Sequence, residues 1–232
     1  MNLINLKISK LFFAGVTIAV MCSCQSKLSI SDMSSEELFQ ISMKHPSVAG
    51  IFAFNDPCSG GIGYFLERCP EFREFLSRDD FAAVLLNEYR KHDPLAFVDQ
   101  GWTDMEIGKF SFHIRYIEFF LAQKFVINQL DNIDLWYLKE MAVSNYQKKK
   151  TLPEIYDGLG LCSTAALCTG IILNVNPDLL EDIRFICYQE YPELPEDANI
   201  RLKASQFVCT LRFEGSEICM DAIVDLLNTM EL

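Results

Sequence analysis

Apolar residues recur at spacings of three and four along most of this 232-residue chain. The longest such stripe contains Ile107, Phe110, His113, Ile114, Ile117 and Leu121. This period places side chains on one face of an α-helix. No convincing run of alternating polar and apolar residues predicts a sheet, so the pattern favours an all-α fold.

Helix-start signals divide the stripes into eight to ten predicted helices. Ser34 with Glu37, and Thr103 with Glu106, have the spacing of a capping box. Proline suits the first position of a helix, so Pro70 predicts a further helix start. We therefore predict a multi-helix antiparallel bundle, or a short helical-repeat-like array. The array rests on two similar segments about 45 residues apart, Phe75-Leu76-Ser77 with Phe81 and Phe120-Leu121-Ala122 with Phe125.

Two segments leave alternatives open. Residues 158–175 carry no charge and reach the lower length limit for a membrane span, but they contain three glycines and several hydroxyl side chains. We interpret them as a buried central helix with close neighbours. Residues 206–213 fit a strand or a helix equally well.

The net charge of −12 limits the classes of partner. Such an acidic chain repels phosphate backbones and anionic lipid, so we predict no nucleic-acid binding. Half of the residues are hydrophobic, including 18 phenylalanines, which is enough apolar surface for a real core.

The N-terminus has the composition of an export leader. Residues 1–10 are basic, and residues 11–21 are an apolar run too short to cross a bilayer of about 30 Å. Met21-Cys22-Ser23-Cys24 follows. This pattern resembles the type II signal peptides of bacterial lipoproteins, and the resemblance covers the leader only.

The resemblance implies cleavage after residue 23 and lipidation of Cys24. Cys22 is the competing acceptor, but it would place the large Met21 directly before the cut. Gln25, in the Gram-negative sorting pattern, implies the outer membrane. We thus expect a signal peptide over 1–23, a lipidated N-terminus and tether over 24–33, and one helical domain over 34–232. No family resemblance is identified for that domain.

The chemistry-bearing residues form few recognisable motifs. The three histidines, His45, His92 and His113, lie far apart, and neither His-Glu-x-x-His nor Cys-x-x-Cys occurs. We therefore predict no metal site and no cofactor. Seven cysteines remain besides Cys22 and Cys24, and most lie in apolar contexts that favour small buried side chains, with one disulfide allowed. The exception is Cys58.

Cys58 precedes the glycine-rich turn Ser59-Gly60-Gly61-Ile62-Gly63. A thiol at a helix N-terminus can have a lowered pKa and act as a nucleophile. The competing interpretation is an ordinary turn between helices. We interpret the lysines at 148–150 as a solvated helix end, and Trp102 and Trp136 as core or loop anchors.

These observations lead to three functional hypotheses. The favoured one is an exported, membrane-anchored helical lipoprotein that binds a partner protein or peptide in the envelope. The alternatives are an envelope hydrolase with Cys58 as nucleophile and a small-molecule binding domain with a closed apolar pocket. No catalytic set beyond Cys58 is predicted.

Overall fold

The structure is a computed structural model that describes residues 29–53, 60–98, 100–152, 154–179 and 217–232. These ranges contain α-helices and short 3-10 helices and no strand, which confirms the all-α prediction. The α-helices are α1 (Ser35–Met43), α2 (Ile62–Arg68), α3 (Pro70–Phe75), α4 (Phe81–Lys91), α5 (Asp104–Leu121), α6 (Lys124–Ile127), α7 (Asn132–Lys149), α8 (Glu154–Val175) and α9 (Glu217–Thr229). The 3-10 helices are Ile30–Asp32, Pro46–Ala53 and Pro177–Leu179.

The predicted helix starts are confirmed. Ser34 and Thr103 each form a complete capping box with the glutamate three residues later, and Pro70 occupies the first turn of α3. The acid before α4 links two helices. Asp80 makes no cap bond; its carboxylate accepts a hydrogen bond of 2.5 Å from the Ser35 hydroxyl and so ties α4 to α1.

Phenylalanine rings from four helices form the first half of the core. Phe39, Phe65, Phe72, Phe75 and Phe120 are all fully buried. The centroid of the Phe72 ring lies 4.7 Å from that of Phe65 and 4.7 Å from that of Phe120. Rings at this distance gain both apolar burial and favourable edge contacts. These phenylalanines therefore serve to pack the core.

Helix α8 lies at the centre of the second half of the core, in contact with α5, α6, α7 and α9. A Cβ on Gly170 would lie 2.5 Å from the carbonyl oxygen of Ala122, so this position requires glycine. The prediction of a buried central helix with close neighbours is confirmed. Within the described ranges, no helix has the length and apolar character needed to span a membrane.

Several predictions concern residues outside the described ranges. They are the leader with Cys24, the candidate nucleophile Cys58, and the segment 206–213.

Candidate functional site

A groove of about 470 Å³ runs between the end of α4 and the outer face of α7. The lining residues that α7 contributes recur at helical spacing, which places their side chains on one face of the helix. The lining residues are Tyr89, Arg90, Lys91, His92, Asp93, Trp136, Tyr137, Glu140, Met141, Ser144, Asn145 and Lys148.

The groove carries exposed aromatic side chains. Trp136 is 45% exposed and Tyr137 is 46% exposed, and their ring centroids lie 5.0 Å apart. Ile133, one turn earlier on α7, is 67% exposed. The prediction of Trp136 as a core or loop anchor is therefore wrong, because the buried stripe of α7 faces the other way. Trp102 does act as an anchor, with its ring centroid 5.3 Å from that of Phe110.

The charged residues of the groove are held in place by neighbours. The Arg90 guanidinium lies 5.1 Å from the Tyr137 ring centroid and 3.0 Å from the Asp134 carboxylate. The Lys148 ammonium lies 3.2 Å from Asp93. The backbone N–H of residue 95 and Lys148 together hold the pKa of Asp93 below its usual range. The third cation of the lining, Lys91, lies 3.1 Å from Glu88, so each cation of the groove already contacts a carboxylate.

A buried ion pair lies behind the groove. The Lys149 ammonium contacts the two carboxylate oxygens of Glu118 at 2.8 and 2.9 Å, with Lys149 5% exposed and Glu118 fully buried. The hydroxyl of Tyr89, which also borders the groove, donates to Glu118 at 2.9 Å. Burial and the Glu118 carboxylate raise the pKa of Tyr89, so it stays a protonated donor.

Hydroxyls of α8 complete the surroundings of this pair. Thr164 donates to Glu118 at 2.9 Å, Ser163 also hydrogen-bonds to Glu118, and Lys149 donates to the Gly160 carbonyl at 3.2 Å. The prediction of a solvated end at 148–150 is therefore wrong for Lys149. A buried ion pair with this many hydrogen bonds positions α5, α7 and α8 against one another.

Two of the three histidines meet at the edge of the groove. The His92 and His113 ring centroids lie 4.8 Å apart, and Nε2 of His113 lies 3.7 Å from Oε1 of Glu88. Burial lowers the pKa of His113 and His92 adds to the effect, whereas Glu88 opposes it. The sequence prediction of no metal site depended on the distance between these residues along the chain, and that distance says nothing about how α4 packs on α5.

The cysteines that can be assessed are structural. Cys69 and Cys168 are free thiols and fully buried, as predicted for small apolar side chains. Burial raises the pKa of both. Cys58 lies outside the described residues, so its surroundings stay a prediction.

The chain has no significant match among protein-family models, curated proteins or solved structures.

Proposed function

We propose that this protein is a lipid-anchored component of the bacterial cell envelope whose helical domain binds a partner protein through the groove along α7. The leader pattern ending in Cys24 supports the anchor. More than one acyl chain is needed for stable anchoring, and a lipidated N-terminal cysteine supplies that. The groove supports the binding role.

The observation that carries the binding role is the exposed aromatic face of α7. Single exposed apolar residues are common on protein surfaces. Here Ile133, Trp136 and Tyr137 lie at positions i, i+3 and i+4, with Arg90 packed on the tyrosine ring. Tryptophan, tyrosine and arginine are the residue types most enriched at interface hot spots. Trp136 and Tyr137 are held on one helix, which reduces the ordering cost of binding.

One cation of the groove is accessible to a charged group of the partner. Lys91 is the most exposed cation of the groove, with 63% of its side chain accessible, although its ammonium lies 3.1 Å from Glu88. A partner carboxylate can approach Lys91 while an apolar side chain packs on Trp136. Complementary charges of this kind set partner choice and association rate more than affinity.

Affinity capture from envelope extracts tests the binding role. The full-length tagged protein is compared with Trp136→Ala and with Met105→Ala, a matched loss of an exposed apolar side chain outside the groove lining. A hot-spot tryptophan contributes about 2 kcal/mol or more, so we expect Trp136→Ala to weaken partner binding at least about 30-fold. Equal binding by both variants would contradict the groove assignment.

Acyl labelling tests the anchor separately. Cys24→Ala is expected to abolish incorporation of a labelled fatty acid and to release the protein from the membrane fraction. Cys22→Ser is the matched control, because it retains a small residue before the cut. Continued labelling of Cys24→Ala would move the anchor to Cys22.

A further inference from the structure

We propose that Glu88, His92 and His113 form a binding site for a divalent transition metal ion, with Zn²⁺ as the first candidate. Glu88 and His92 lie one turn apart at the end of α4, and His113 comes from the middle of α5. One potential ligand atom from each residue lies within 4.8 Å of the other two. This inference does not rest on the proposed partner binding.

The donor set suits zinc. Two imidazole nitrogens and one carboxylate oxygen are among the ligand combinations that zinc prefers, and three protein ligands leave a fourth position open. In a tetrahedral site with bonds of about 2.0–2.1 Å, ligand atoms lie about 3.3–3.4 Å apart. The 3.7 Å between His113 Nε2 and Glu88 Oε1 is already close to this value. The three ligand atoms, which lie within 4.8 Å of one another, must approach by up to about 1.5 Å to enclose the ion.

The hydrogen bonds around the cluster orient its ligands. Nδ1 of His92 donates to the Glu88 backbone carbonyl at 2.7 Å, and because a carbonyl only accepts, Nδ1 carries the proton. Nε2 of His92 is left with its lone pair for a metal. A histidine whose second nitrogen donates to a carbonyl is the usual arrangement at metal sites.

The carboxylate is held in the same way. Gln40 donates to Oε1 of Glu88 at 3.1 Å, and Lys91 donates to Oε2 at 3.1 Å. Burial disfavours ionisation of Glu88, but Lys91 and His92 outweigh it and its pKa is lowered. The simpler alternative is a proton shared between His113 and Glu88, without a metal.

Metal titration of the full-length protein in detergent distinguishes the two. Zn²⁺ is titrated by calorimetry, and Co²⁺ is added as a visible probe of coordination. Seven cysteines besides Cys22 and Cys24 can also bind zinc, so the informative quantity is the difference between variants. We expect the double variant His92→Ala, His113→Ala to bind one equivalent fewer than the wild type. His45→Ala, which removes the histidine paired with Ser47, is the matched control and should bind like the wild type.

Histidine NMR provides a readout that does not depend on how the variants fold. In the unmutated protein with labelled histidine, one equivalent of Zn²⁺ should shift the ring nitrogen signals of two histidines and leave the third unchanged. Glu88→Gln should weaken this binding at least tenfold. Unchanged histidine signals on zinc addition, or equal metal binding by the wild type and the double variant, would overturn the proposal.

Discussion

The buried ion pair offers the sharpest test of the fold. Replacing Lys149 by methionine removes an ammonium that contacts both oxygens of the Glu118 carboxylate and the Thr164 hydroxyl at 2.7 Å. Methionine has a similar length and fills the space with apolar atoms. The change therefore leaves the packing nearly intact and leaves a carboxylate in the core without its cation.

The size of the effect follows from what remains around Glu118. Breaking a buried ion pair by removing one partner costs about 3–5 kcal/mol in the free energy of unfolding. The hydroxyls of Tyr89, Ser163 and Thr164 still contact the carboxylate, so we expect the lower end, about 3 kcal/mol. In a domain of this size that lowers the melting temperature by roughly 6–12 °C.

Urea unfolding followed by circular dichroism measures this loss as a shift in midpoint at constant slope. Lys148→Met is the matched control, since Lys148 is the adjacent residue and its ion pair with Asp93 is exposed. Exposed pairs contribute about 0–1 kcal/mol. Adding Glu118→Gln to Lys149→Met should restore part of the stability, because a neutral amide is less costly to bury. Equal losses for Lys149→Met and Lys148→Met would refute the reasoning.

Four further predictions concern other parts of the fold and the cysteines. Gly170→Ala should lower the free energy of unfolding by about 1–3 kcal/mol, because the new Cβ meets a backbone carbonyl. Gly108→Ala has open space around it in α5 and should raise the free energy of unfolding by about 0.5–1 kcal/mol. Urea midpoints compare the two variants, and a gain at both positions would contradict the packing of α8. Thr103→Ala should cost about 1 kcal/mol through loss of the α5 cap, and an unchanged urea midpoint would show that the cap is not formed. Iodoacetamide at neutral pH should leave Cys168 unmodified until the protein is unfolded, since burial raises the pKa of its thiol; labelling of the native protein would contradict that burial. In the same experiment, the binding account predicts that Cys58 reacts like an ordinary thiol, and a fast reaction would favour the hydrolase alternative.

The helices were predictable because their signals are local. A capping box and a proline at the first turn need only four neighbouring residues, and those at Ser34, Thr103 and Pro70 were placed correctly. The Asp80 contact with Ser35 was not predictable, because its partner lies 45 residues away. The difference reflects the range of the interaction and not its strength.

The burial of Lys149 could have been predicted from its position in the apolar stripe of α7. The buried residues Leu138, Ala142 and Tyr146 of α7 continue at the same spacing to Lys149. Position in the stripe, rather than charge, was the better guide to burial. By the same argument Trp136 falls off this stripe, which is consistent with its exposure.

The cluster of Glu88, His92 and His113 could not be predicted from the sequence in this way. Glu88 and His92 have helical spacing, but i and i+4 pairs of this kind are common on helix surfaces. The third member, His113, lies on a different helix, and only the packing of α4 against α5 brings it within reach. Contacts between helices of this kind leave no trace in a single sequence.

Site-specific photocrosslinking in intact cells tests the partner-binding claim most directly. A photoreactive phenylalanine analogue is placed at Tyr137 in the groove, and at Met105 as the exposed control. We predict one discrete crosslinked protein from position 137, absent from position 105 and lost when Trp136→Ala is added. No crosslink at 137, or the same products from both positions, would contradict the groove as the binding site.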